Sequence, residues 1–136
     1  MTPFVFKRRV EFGETDMAGI VHFSNFFRYM EAAETAFLRA RGLSVNWTEG
    51  GVHYGFPRVS VACDYTRPLR FEDEVAITVI LEKLGTKSVQ YRYEFRRGGD
   101  DIAVGRITAV LCRSVNHGPF ESIPIPDAIR TKLESP

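Results

Sequence analysis

Val10-Glu11-Phe12-Gly13-Glu14-Thr15-Asp16-Met17-Ala18-Gly19-Ile20-Val21-His22-Phe23-Ser24-Asn25-Phe26 is the stretch whose reading decides the fold. It passes from the end of a strand, through a glycine-bearing loop, into the start of a long helix. On the strand side, Phe4, Phe6, Val10 and Phe12 share one face and Lys7, Arg9 and Glu11 the other. Arg8 is the misfit on the apolar face. On the helix side, Phe23, Phe26, Phe27, Met30, Ala33 and Phe37 follow helical spacing across residues 24–41. Such a helix is about 27 Å long. Tyr29, Ala32, Ala36, Leu38 and Ala40 widen its apolar surface, as expected of a helix wrapped by a sheet. Ser24 or Asn25 is expected to cap its start and Gly42 to end it.

Beyond the helix, residues 43–57 read as irregular, punctuated by Gly50-Gly51, Gly55 and Pro57. Four strand signals follow. Val59, Val61, Cys63 and Tyr65 form the inward face of the first, Val75, Ile77, Val79 and Leu81 of the second, and Val89, Tyr91, Tyr93 and Phe95 of the third. The fourth, over 101–115, is apolar on both faces for much of its length, which places it inside a sheet. Leu84-Gly85-Thr86-Lys87 and Arg97-Gly98-Gly99-Asp100 read as hairpin turns. Pro124, Pro126 and Asp127 open a short terminal helix over 127–133. The order argues an α+β fold: one antiparallel five-stranded sheet wrapped around one long helix, in a single domain spanning 1–136.

At 136 residues the chain can bury a core without staples. A net charge of +1 gives no bulk attraction to nucleic acid or to an anionic membrane. Apolar runs are too short to span a bilayer. The stretch Met1-Thr2-Pro3-Phe4-Val5-Phe6-Lys7-Arg8 lacks the order of a signal peptide, so a cytoplasmic location is expected. Cys63 and Cys112 are then expected as buried free thiols. His22, His53 and His117 are not at metal-ligand spacing, and no metal site is expected.

A G-x-S-x-G elbow, a P-loop and a dinucleotide fingerprint are all missing. Chemistry must come from acids, backbone and a histidine. Asp16, in the loop before the helix, is the first candidate, as nucleophile or as base. Capping a turn is its alternative role. Gly19 lets the chain turn and lets a ligand approach. Unpaired N–H groups near Phe23 and Ser24 can receive a carbonyl oxygen. His22 reads either as a pocket-lining imidazole or as a substrate contact and proton carrier. Glu14 reads as a solvated loop charge, Glu31 and Glu34 as solvated or interface charges, and His53 as a loop residue. Arg67, Arg70, Lys83, Lys87, Arg92, Arg96 and Arg97 form a basic set from which phosphate-holding groups can be drawn, without the sequence saying which.

The run Glu11 to Val21, followed by Ser24-Asn25-Phe26 and the helix to Gly42, resembles the hotdog-fold acyl-CoA thioesterases. It is most similar to their 4-hydroxybenzoyl-CoA thioesterase and YbgC-like branch. Asp64-Tyr65-Thr66-Arg67-Pro68-Leu69, Phe71-Glu72-Asp73-Glu74-Val75 and Ile125-Pro126-Asp127-Ala128-Ile129-Arg130 extend the resemblance over most of the chain. The resemblance implies hydrolysis of an acyl-CoA thioester, with Asp16 as nucleophile or general base. It implies Gly19 in the turn beneath the substrate, Val21 and His22 beside it, and the amide near Phe23 polarising the carbonyl. It implies no cofactor, coenzyme A entering only as part of the substrate, and a homodimer or homotetramer joined through sheet edges. Glu14 stands where the family commonly has aspartate, and His22-Phe23 where an aromatic pair is usual. An acyl-carrier-protein thioesterase and a non-catalytic acyl-CoA-binding module are the other readings of the same fold.

Overall fold

A computed structural model describes residues 3–136. Met1 and Thr2 of the N-terminal stretch read above lie outside the described residues. Strand β1 (Phe4–Arg9) leads to a single 3-10 turn at Phe12–Glu14, and after the Asp16 loop α1 runs from Ser24 to Ala40. The hairpin β2 (Asn46–Glu49) and β3 (Val52–Gly55) follows, then β4 (Arg58–Tyr65), β5 (Glu74–Leu84), β6 (Ser88–Arg97) and β7 (Asp100–Val110). The chain ends with β8 (Cys112–Val115), β9 (Glu121–Ser122) and α2 (Asp127–Glu134). Five strands form an antiparallel sheet in the order β1-β5-β6-β7-β4.

α1 lies against this sheet through Phe26, Tyr29, Met30, Ala33, Phe37 and Leu38, all buried. The facing strands supply Val75, Ile77 and Val79 from β5 and Val89, Tyr91, Tyr93 and Phe95 from β6, each at most 2% exposed. The alternation read from the sequence therefore marks the helix-facing side of both strands. Fully burying an aliphatic or phenylalanine side chain of this kind contributes roughly 1.5–3 kcal/mol, so this contact supplies most of the fold's driving force. At Gly105 in β7 the missing side chain leaves room for the Met30 thioether, which lets α1 lie close.

Four expectations need correction. Residues 43–57 are not irregular: β2 and β3 form a hairpin whose turn uses Gly50 and Gly51 at φ +59° and +77°. The segment 101–115 is not one strand. It breaks at buried Leu111, whose N–H donates to Lys87 O at 2.9 Å, and β8 turns away into a second antiparallel sheet, β2-β3-β8-β9. The architecture is thus two sheets, one long helix and a short one, rather than one sheet around one helix. Phe12 leaves the strand face and is exposed, because the 3-10 turn rotates it outward. Val61 and Tyr65 of β4 do share the helix-facing side, opposite buried Ile107 and Ala103, yet both are about half exposed. β4 is an edge strand that α1 covers only in part, through Phe26 on Tyr65 and Glu34 on Arg58.

Glu34 is the fifth correction. It is fully buried and ion-paired with Arg58, the first residue of β4, while Glu31 stands 3.8 Å from the same guanidinium. Burial pushes its carboxyl up; Arg58 opposes that and Glu31 adds to it. Cys63 and Cys112 are free thiols, as expected, but half-buried rather than buried. Replacing Arg58 by methionine leaves Glu34 buried without its cation. The expected loss is about 3 kcal/mol near neutral pH. Glu34 then holds its proton more tightly in the folded than in the unfolded chain, so stability is retained at low pH and falls as pH rises through that window. Denaturant melts of Arg58→Met at pH 5 and pH 7.5 should show the larger deficit at pH 7.5.

Candidate active site

Arg8 and Glu14 explain each other. Arg8 occupies an inward position on β1, where a lone cation would be costly. Glu14 comes back from the 3-10 turn to pair with it, and the Arg8 guanidinium also lies over the Tyr29 ring at 4.9 Å. The same carboxylate accepts the Tyr29 hydroxyl at 2.7 Å and the Glu11 amide at 2.8 Å. Burial raises the Glu14 carboxyl, but the Glu11 amide, Tyr29 and Arg8 outweigh it and hold the group below the ordinary glutamate range. Glu14 is therefore no solvated loop charge. Its backbone oxygen accepts two further donors, the His22 amide at 3.0 Å and Asn25 Nδ2 at 2.8 Å.

These bonds frame the Asp16 loop. Thr15 and Val21 face each other in an isolated antiparallel bridge, and the Asp16 amide donates to Ile20 O at 2.9 Å. The Gly19 amide donates to Asp16 O at 2.9 Å, with Gly19 at φ +79°, where a side chain would be strained. The Ala18 amide donates to Asp16 Oδ1 at 2.9 Å. Asp16 thus does cap a turn, and Oδ1 is oriented by it. Oδ2 accepts no hydrogen bond among the described residues.

The helix begins differently from the expectation. Neither Ser24 nor Asn25 caps it; Phe23 holds the cap position with helical torsions of −54° and −31°. The chain has already entered the helical conformation there. The amides of Asn25 and Phe26 are taken by the carbonyls of His22 (2.9 Å) and Phe23 (3.2 Å). Ser24 Oγ lies 2.8 Å from His22 Nδ1, and the Ser24 amide makes a long 3.3 Å bond to that nitrogen. The Phe23 amide finds no acceptor among the described residues.

A cleft of about 420 Å³ opens here, lined by Asp16, Ile20, Val21, Phe23 and Phe26 on one side and Tyr65, Thr66, Arg67 and Pro68 on the other. Of the residues singled out from sequence, Asp16, Val21 and Phe23 line it. Val21 does so by its side chain alone, since its amide is bonded to Leu69 O at 2.8 Å. Gly19 shapes the loop without lining the cleft, and His22 lies outside it, exposed and against the Phe23 ring. Tyr65, an inward strand residue by its sequence pattern, also belongs to this site. Its ring packs on Phe26 and its hydroxyl donates to Phe23 O at 3.4 Å. Burial, with Cys63 beside it, pushes that hydroxyl up to about 12. The misfit of Arg8 on the apolar face is the sequence signal for a carboxylate partner, which the structure identifies as Glu14. A larger hollow of about 620 Å³ lies past the C-terminal end of α1, against Leu43, Trp47, Tyr54 and Ile129. None of the sequence-derived site residues reaches it.

An acid at the entrance of an apolar cleft, beside a free amide at a helix start, defines a site suited to acyl transfer. Residues 10–133 match the thioesterase-like superfamily, and the chain belongs to it. The fold is the hotdog thioesterase fold. An Aquifex aeolicus protein with a provisional esterase name is 36% identical over 123 residues, 90% of this chain and 92% of that protein. The 1,4-dihydroxy-2-naphthoyl-CoA hydrolase of Thermosynechococcus vestitus is 28% identical across 96% of this chain and 88% of its own length. The solved structure of a gentisyl-coenzyme A thioesterase superposes with a TM-score of 0.79 at 31% identity, covering 93% of this chain and 98% of that one. Among the described residues no helix is long and apolar enough to cross a membrane, and no three metal-ligating side chains converge.

Glu14→Gln keeps the size of the side chain and removes its charge. The expected cost is about 2 kcal/mol at neutral pH, since charged hydrogen bonds are lost and Arg8 keeps only the exposed Glu11 carboxylate, 3.7 Å away. The folded-state value lies below the unfolded one. The native contribution is therefore complete above about pH 4.3 and is lost as pH falls through the folded value. Stability curves of the two proteins should converge in acid, and the Ala18 and His22 amides of the variant should exchange faster with deuterium.

Proposed function

We propose that this chain hydrolyses an acyl-CoA thioester to the free acid and CoA. The observation that carries the reading is the pairing of Asp16 with the free amide of Phe23 on one apolar cleft. A thioester carbonyl bound between them receives its polarising hydrogen bond from Phe23 as negative charge develops on oxygen. Asp16 then acts in one of two ways. As general base it takes a proton from water, whose oxygen attacks the carbonyl carbon; the C–S bond then breaks and the CoA thiolate takes that proton from Asp16 and leaves as thiol. As nucleophile it forms an anhydride as the C–S bond breaks, the CoA thiolate taking its proton from solvent, and water then cleaves the anhydride to regenerate the carboxylate. In both, Ala18 fixes Oδ1 and Gly19 allows the turn that presents the group. Val21 walls the acyl part, and His22 steadies the helix start through Ser24 rather than touching substrate.

The proposal extends to one hotdog domain over 1–136, in the 4-hydroxybenzoyl-CoA thioesterase and YbgC-like branch, cytoplasmic and without a cofactor of its own. It extends also to a homodimer or homotetramer. The support for assembly is β4, an edge strand whose Val59, Val61 and Tyr65 are 62%, 52% and 47% exposed. An uncovered apolar edge invites pairing with a second copy.

Aromatic acyl-CoAs head the substrate panel, because the relatives named above act on gentisyl-CoA and 1,4-dihydroxy-2-naphthoyl-CoA and because Phe23, Phe26 and Tyr65 wall this cleft. Thiol release from aromatic, short-chain and long-chain acyl-CoAs should find turnover on at least one. Asp16→Asn should lower kcat on it by about 10³-fold or more with the fold intact. Near-normal turnover by the variant removes Asp16 from the mechanism. Failure on every acyl-CoA moves the reading to an acyl-carrier-protein substrate or, if acyl-CoA binds tightly, to a binding module. Sedimentation should find an oligomer, and Val61→Lys should dissociate it by placing a charge on the uncovered edge.

A further inference from the structure

The basic residues of the strands and turns sort themselves once their partners are known. Arg92 is held by Glu82 at 3.1 Å, Arg96 by Asp101 at 3.0 Å and Arg97 by Asp73 at 3.0 Å. Their charge is spent on the sheet surface. Arg67 is different. Like Arg70, Lys83 and Lys87 it has no carboxylate within 4.0 Å among the described residues, but it alone of these cations lines the Asp16 cleft. Its Nη1 donates to Asp101 O at 2.8 Å, which holds the planar group in place and leaves four N–H donors free. The backbone is held as well. The Arg67 amide bonds Ile102 O at 3.2 Å, and the next residue, Pro68, accepts Arg97 Nη1 at 3.1 Å.

A braced guanidinium without a carboxylate partner, in a wall whose other residues are uncharged, is a ready receptor for a planar or tetrahedral anion. Among the described residues Asp16 is the only carboxylate lining the same cleft, so a ligand reaching both meets an acid at one point and a cation at another. We infer that Arg67 is the anion-recognition residue of this cleft, holding an anionic oxygen group of the thioester substrate. The inference rests on the thioesterase reading above. The group comes from one of two sources, a phosphate of the CoA portion or an acidic substituent on the acyl portion, and the chemistry at Arg67 is the same for both.

Three substrates separate the sources: a neutral acyl-CoA, the same acyl group on N-acetylcysteamine, which carries no phosphate, and a carboxylate-bearing acyl group on N-acetylcysteamine. Arg67→Ala should raise KM about tenfold or more wherever the recognised anion is present, with kcat little changed, because a bond made equally in ground and transition states is removed. A rise on the acyl-CoA assigns the phosphate; a rise on the carboxylate-bearing N-acetylcysteamine thioester assigns the acyl group. The neutral N-acetylcysteamine thioester should be indifferent, and Arg67→Lys should recover only part of the loss, since a point charge replaces a fork. No rise on either anionic substrate, or an equal rise on all three, overturns the assignment. If the unaltered protein cleaves no thioester, the parent reading has failed. Calorimetry with CoA and with the free carboxylated acid then decides Arg67 by itself. Affinity about tenfold weaker in Arg67→Ala supports the assignment, and unchanged affinity for both ligands ends it.

Discussion

Glu14 is where three elements meet, and the rest of the site depends on it. Its carboxylate ties β1 through Arg8 and α1 through Tyr29, while its backbone oxygen ties the loop through His22 and the helix start through Asn25. A partly buried ion pair is seldom a large net gain in stability, because desolvation offsets much of the attraction. Its value here is geometric. Each bond has a defined direction, and together they leave the loop one way to sit on the helix. Apolar side chains of the same volume would fill the space but would not specify the angle at which Asp16 leaves the loop.

That constraint also shapes the helix start. With Asn25 turned back to Glu14 and Ser24 turned to His22, no side chain caps α1. The carbonyls of His22 and Phe23 take the amides of Asn25 and Phe26, and the Phe23 amide is the one left over. A Ser or Asp side chain bonding the first turn in the usual way would compete with a ligand for such donors. The fold thus forgoes a capping bond worth about 1 kcal/mol and leaves the amide of a cleft-lining residue without an acceptor among the described residues. The oriented peptides of α1 behind it favour negative charge at that end.

Much of this was legible in the chain. The alternation of β5 and β6 and the 3.6-residue spacing of α1 are strong, because each buries a continuous face against the other. Gly50-Gly51 was visible as punctuation, but β2 and β3 are too short and too mixed in polarity to display a period. The break at Leu111 was hidden because the sequence stays apolar through it; only the turning of β8 into the second sheet distinguishes the two halves. Asp16, Val21 and Phe23 fall on one cleft because loop and helix start are contiguous in sequence. Glu34 and Arg67 were not resolved from sequence, since their meaning lies in partners: one has a partly buried cation 24 residues away, and the other has no carboxylate within 4.0 Å among the described residues.

The edge of the sheet and the cleft are one problem rather than two. Tyr65 ends β4, lies half exposed, and also covers Phe26 at the mouth of the cleft. Phe23 is 61% exposed on the opposite lip. A thioester bound by a lone chain would therefore keep one side of its acyl group in water, where a single hydrogen bond from the Phe23 amide has little leverage. A second copy seated on β4 would cover the exposed faces of Val61 and Tyr65 and lower the local dielectric around Asp16 and Phe23. In the proposed oligomer, association thus strengthens the same electrostatic contacts on which turnover relies. A variant that breaks the edge contact is then expected to lose activity even though every residue lining the cleft is intact.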